Sequence, residues 1–242
     1  MPYEKIALAG SGWMCVYYCG ILKYITENYD MSKVKFSSVS SGCIAAAATI
    51  IDYPMDELAY HFFEAEERCR TRPWLMVNEV AEGLDKLSPN DAHIKCKGRL
   101  KITTASIDYS NYKLQGHYIS NFNCLKHFKT AVLGSCNVPF LRLNPVELHT
   151  GERVWDGCLY DPFPKFNEKY LSIEAIHENV DPHDLKDRIA PSTHIPRYWS
   201  FFSPKRHTLE KIYELGYIDA IAHFGILSPL QYSRLLQLHA EI

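Results

Sequence analysis

Residues 34–51, VKFSSVSSGCIAAAATII, join a run of β-branched and small residues to an alanine-rich run through Ser40-Ser41-Gly42. Residues 34–39 have strand character, and residues 43–51 read as a narrow helix that can pack closely on a sheet. A strand that turns within three residues into a helix is the repeating unit of parallel α/β sheets. The upstream sequence has the same plan. Residues 5–9 (KIALA) read as a short buried strand, Gly10-Ser11-Gly12 as a turn, and residues 13–29 as a helix with Val16, Tyr17, Ile21, Leu22 and Ile25 in register.

Downstream, Pro54 opens a helix with Met55, Leu58, Ala59, Phe62 and Ala65 on one face. Residues 72–90 have no clean period. Residues 100–107 and 113–122 form a strand pair around Ser110-Asn111-Tyr112, and residues 124–133 a helix. Val154-Trp155 leads into Asp156-Gly157, a third strand-to-turn junction, and residues 170–176 are a further strand candidate. From Ser203 the pattern is helical, with Gly216 as a break and Ser228-Pro229 capping a last helix through Leu236. Alternating strands and helices predict a mostly parallel sheet covered on both faces.

The formal net charge of −2 supplies no basic field for nucleic acid. The longest apolar run, about residues 43–51, is far short of the roughly 20 residues that span a bilayer, and no secretory signal pattern opens the chain. The eight cysteines stand singly, without CxxC or zinc spacing, so we expect no metal site and a reducing, intracellular, cytoplasmic setting. Nothing in the sequence fixes an oligomeric state.

Two of the junctions suit the halves of an acyl-transfer site. At Gly10-Ser11-Gly12, backbone N–H groups can turn toward a ligand oxygen beside a helix N-terminus, as an oxyanion hole requires; a tight βα turn is the plainer reading. Ser38-Val39-Ser40-Ser41-Gly42 resembles a nucleophile elbow, with Ser38 and Gly42 as the small residues flanking Ser40; here the plainer reading is a serine N-cap. Asp156 ends a short apolar strand, where its carboxylate can face the same crevice and take the serine proton; an Asx-turn is the alternative. A Ser–His–Asp triad is also open, with His177, His183, His194, His207, His223 and His239 following in chain order.

In this order, Gly10-Ser11-Gly12, the elbow at Ser40 and Asp156-Gly157 resemble the patatin-like phospholipases. The likeness is greater to the branch that includes adipose triglyceride lipase and adiponutrin. It continues through Gly12-Trp13-Met14-Cys15-Val16-Tyr17-Tyr18-Cys19-Gly20, Ser88-Pro89-Asn90-Asp91-Ala92-His93, Gly134-Ser135-Cys136-Asn137-Val138-Pro139, Ile195-Pro196-Arg197 and Tyr213-Glu214-Leu215-Gly216-Tyr217, and so covers about residues 5–225. The resemblance implies one three-layer α/β/α patatin-like domain over residues 1–242, with a catalytic core at about 5–165 and a C-terminal strand and helices at 166–242. It implies a Ser40–Asp156 dyad, an oxyanion loop at Gly10, Ser11 and Gly12, no cofactor, and acylglycerols or phospholipids as substrates. It also implies transient contact with a membrane or lipid-droplet surface, for which residues 73–77 and 198–202 are candidates; a place in the core is the plainer reading of both stretches. Two positions depart from the family pattern: Cys15 and Ser38 stand where glycine is usual. Cys15 is expected to narrow the oxyanion pocket and Ser38 to strain the turn. These departures support a competing reading, a catalytically weak or inactive lipid-binding module on the same fold.

Overall fold

A computed structural model describes residues 1–176 and 187–225. Its spine is a sheet of eight strands among those residues. They are β1 (Lys5–Leu8), β2 (Lys35–Val39), β3 (Leu100–Asp108), β4 (Lys113–Ile119), β5 (Val146–Glu147), β6 (Arg153–Asp156), β7 (Leu171–Ile173) and β8 (Arg188–Ile189). The order is β5-β6-β3-β2-β1-β7-β8, with β4 also on β3. Strands β3, β2, β1, β7 and β8 run parallel, whereas β4 and β6 pair antiparallel with β3, and β5 with β6. The central strands are buried along nearly their whole length, as a sheet covered on both faces demands.

The helices are α1 (Cys15–Asn28), α2 (Ser41–Ile50), α3 (Met55–Arg70), α4 (Met76–Leu87), α5 (Ala92–Cys96), α6 (Leu125–Ser135) and α7 (Arg206–His223). They flank the sheet in a three-layer α/β/α arrangement. The alanines of α2 are what let it lie close to β2 and β3; Ala45 to Ala48 are all buried. Helix α1 is buried almost all round and packs on α7, α3 and α2.

The strands and helices expected from residues 5–70, 100–135 and 153–156 occur, with ends shifted by one to three residues. Three expectations change. The unassigned stretch 72–90 contains α4, preceded by a single 3-10 turn, Pro73–Leu75. Gly216 does not break a helix, because α7 runs straight through it. A Cβ at Gly216 would lie 2.2 Å from the Tyr17 carbonyl oxygen, and one at Gly20 would lie 2.0 Å from that of Tyr213. Both glycines are there so that α1 and α7 can cross backbone to backbone. The strand candidate at 170–176 shortens to β7. The expected helix from Ser228 to Leu236 lies outside the described residues.

Among the described residues, no helix is long and apolar enough to cross a membrane.

Candidate active site

The sheet register alone brings two distant side chains together. Along one edge of β3, β2 pairs up to Val39↔Thr103, and β6 takes over at Thr104↔Asp156. The opposite edge of the same residues is occupied by β4. The carboxyl end of β2 therefore abuts the carboxyl end of β6. Ser40 is the first residue beyond β2 and Asp156 is the last of β6. Ser40 Oγ donates a hydrogen bond of 2.7 Å to Asp156 Oδ2.

The turn at Ser40 is strained. Its φ is +53° and ψ −136°, a conformation that L-residues rarely hold. Strain of this kind persists only where neighbours enforce it, and here they do. The Ser40 N–H donates to Ser135 Oγ at 2.8 Å, and Ser135 Oγ donates to the Thr103 carbonyl at 2.6 Å. Gly42 is needed because a Cβ would sit 2.8 Å from the carbonyl oxygens of Leu8 and Ala9. Ser38, expected to carry strain, does not: it is an ordinary residue of β2 and donates to Cys43 Sγ at 3.3 Å. The strain falls on Ser40 alone.

Asp156 is fixed at both ends. Its N–H donates to the Asn137 carbonyl at 2.9 Å, and its Oδ1 accepts the Cys158 N–H at 2.8 Å. Burial of the carboxyl group pushes its pKa up from 3.8 to about 6, against the opposing pull of the hydrogen bonds from Cys158 and Ser40.

The glycine loop lies directly over this pair. A Cβ at Gly10 would be 3.2 Å from Ser40 Cβ, and one at Gly12 (φ +55°) would be 1.9 Å from the Ser200 carbonyl oxygen. Tyr18 holds the residue just before the loop: its hydroxyl donates to the Ala9 carbonyl at 2.9 Å and accepts the Ala175 N–H at 3.2 Å. Ser11 ties the loop to the elbow through Ser41, N–H to Oγ at 3.2 Å and Oγ to Oγ at 2.8 Å. The three amides differ in availability. That of Gly10 donates to the Pro162 carbonyl at 3.4 Å and that of Ser11 to Ser41. The Gly12 N–H has no hydrogen-bond partner among the described residues. Cys15 does not narrow this space. It is fully buried and its thiol donates to the Ser41 carbonyl at 3.4 Å.

Ser40, Asp156 and the loop form the floor of a cavity of about 620 Å³ with mainly apolar walls, among them Met76, Val138, Leu159 and Ile176. Phe140, Phe163 and Phe201 line it and are also solvent-exposed, so they form its mouth. No described histidine lines the cavity. His177, His183 and His239 lie outside the described residues. No cluster of side chains suited to holding a metal ion occurs among the described residues.

The chain also resembles known proteins. The chain is 26% identical, in an alignment 182 residues long that covers 69% of this chain, to the human (Homo sapiens) protein named patatin-like phospholipase domain-containing protein 2. Its fold superposes on the crystal structure of VipD from Legionella pneumophila with a TM-score of 0.54, at 12% identity, over 98% of this chain and 67% of that one. The chain thus resembles a patatin-like phospholipase in sequence and shares its fold with VipD. The match spans 35% of the human protein's length. No family model matches the chain.

Sequence reasoning missed the residues that brace the patatin-like site: Ser135, Ser41, Asn137 and Tyr18. Ser135 and Asn137 stand in the stretch Gly134 to Pro139, whose resemblance to the family was the only signal available.

Proposed function

We propose that the chain is a serine lipid acyl hydrolase that cleaves carboxylic esters of acylglycerols or phospholipids. The observation that carries this reading is the 2.7 Å hydrogen bond from Ser40 Oγ to a buried Asp156 carboxylate at the floor of a large apolar cavity. The likeness to a patatin-like phospholipase supports it.

Ser40 Oγ attacks the ester carbonyl carbon as its proton passes to Asp156 Oδ2, and the carbonyl π electrons move to oxygen. The Gly12 N–H faces the developing oxyanion beside the N-terminus of the helix that follows. The tetrahedral intermediate collapses, the bond to the leaving alcohol breaks, and Asp156 returns the proton to that alcohol. The acyl group now sits on Ser40. Water then repeats the sequence: it gives up a proton to Asp156, the bond to Ser40 Oγ breaks as Asp156 returns that proton to it, and the fatty acid is released. A carboxylate with a pKa near 6 suits this shuttle better than an exposed one near 4, because its proton affinity lies closer to neutral pH. No cofactor takes part.

The substrate's setting fits the rim. Trp74, Tyr198 and Phe202, from the two stretches expected to face a lipid surface, are exposed, while Val77 is buried. With Phe140, Phe163 and Phe201 they present an aromatic border that rests transiently on a membrane or droplet.

The reading is tested with Ser40→Ala and Asp156→Asn. Each is expected to abolish turnover of a p-nitrophenyl ester and of emulsified lipid while the protein stays folded, and a fluorophosphonate is expected to label wild type at Ser40. Turnover retained in either variant removes that residue from the mechanism.

A further inference from the structure

A second cavity lies behind the first. It is bounded by α2, α3 and α4, measures about 80 Å³, and is lined almost wholly by apolar side chains, including Trp13, Ala47, Phe62 and Val80. Met76 belongs to the wall of both this cavity and the one holding Ser40. It is the residue the two linings share, and its unbranched, flexible side chain rearranges at little cost. Polar groups stand at the outer edge: Tyr53 Oη meets His61 Nε2 at 3.3 Å, and Glu79 is ion-paired with Arg68 at 2.6 Å.

Gly83 carries the argument further. It sits in the middle of α4, where glycine costs about 0.5–1 kcal/mol relative to alanine. Its φ is not positive, and a Cβ there would meet nothing within 4 Å. Every structural reason for a helical glycine seen elsewhere in this chain, such as the backbone crossing at Gly216, is missing at Gly83. Gly83 does line the second cavity. Its lack of a side chain keeps clear a cleft that is partly open to solvent and lined by buried and half-buried apolar side chains, a setting that an apolar ligand can fill.

We infer that this cavity receives the distal part of the substrate's fatty acyl chain, admitted past Met76 while the ester lies at Ser40. The inference rests on the ester-hydrolase reading and adds a preference for long chains. A short acyl group ends in the first cavity; a long one displaces the Met76 side chain and runs on between α2, α3 and α4.

The test fills the space from Gly83. Wild type, Gly83→Leu and Gly83→Phe are assayed on p-nitrophenyl butyrate and p-nitrophenyl palmitate, and palmitate and butyrate are titrated into the Ser40→Ala protein with and without Gly83→Phe. The expected result is a fall of about tenfold in the palmitate-to-butyrate ratio of kcat/KM and in palmitate affinity, the effect of excluding roughly two methylene groups. Butyrate turnover is expected to persist. Leucine is a good helix former, so Gly83→Leu gives the answer if Gly83→Phe does not fold. An unchanged ratio together with unchanged palmitate affinity overturns the inference and leaves the hydrolase intact. Loss of palmitate binding on filling the cavity, in a wild type that cleaves neither ester, overturns the hydrolase and leaves the acyl site standing.

Discussion

In the proposed mechanism Asp156 works under two opposed demands. Its burial would make it a base of useful strength and also makes its charge costly. The folded pKa of about 6 lies above the unfolded 3.8, so the folded state holds the proton more tightly. The stabilisation this gives is fully present below about pH 4 and is lost as pH rises through 6. At neutral pH the ionised carboxyl therefore costs on the order of 3 kcal/mol. Asp156→Asn is expected to melt at or above the wild-type temperature at pH 7.5, and to melt below it nowhere above pH 6, as calorimetry across pH can show. Catalysis has the opposite sense: kcat/KM for a soluble ester should fall tenfold per unit below about pH 6, as Asp156 takes up its proton. A flat acid limb would mean that another group accepts the serine proton. Ser135 is the other residue whose value lies in one contact. Ser135→Ala leaves the buried Ser40 N–H without its acceptor, which should cost about 1–3 kcal/mol in denaturant unfolding and lower kcat more than it raises KM.

Among the elements, those legible in the sequence are the ones whose causes are local. Residues 34–51 announce β2, the turn and α2 through composition alone, and the two flanking junctions behave alike. The exceptions have identifiable reasons. Helix α4 does carry a helical spacing, with Val77, Val80, Leu84 and Leu87 facing inward, but the apolar 3-10 turn Pro73–Leu75 runs into it and blurs the start of the period. Gly216 reads as a helix end because glycine commonly is one; its actual partner, Tyr17, is 199 positions away in the chain and invisible to any local rule. Ser135 lies likewise beyond local reach, 95 residues from the amide it accepts. By local rules the site was legible only as three separate turns, since nothing local says that β6 follows β2 along the edge of β3; the pairing of Ser40 with Asp156 came from the resemblance to the patatin-like phospholipases. The close crossing of α1 and α7 gives a prediction of its own. Gly216→Val should destabilise the chain by on the order of 3 kcal/mol, read in guanidinium unfolding, since its side chain must push the Tyr17 backbone away.

For the molecule as a whole, the proposed docking face is the set of exposed apolar residues around the cavity mouth. Leu143 and Tyr198 are exposed by 85% and 61% and lie outside the cavity wall. Replacing both with aspartate should reduce sedimentation with phosphatidylcholine vesicles several-fold while leaving turnover of a water-soluble ester near wild type. Equal vesicle binding by the double variant would place the docking face elsewhere on the surface.

Strand β3 has a consequence for how activity arises during synthesis. The reactive alcohol and its proton acceptor are separated by 116 positions and meet only because β3 holds β2 and β6 end to end. A slip of one residue in either pairing would turn the group to the other side of the pleat. A nascent or misassembled chain is thus chemically mute. On the proposed reading it can meet bilayers throughout its production without eroding them, and hydrolysis begins only when the last of the three strands has locked into register.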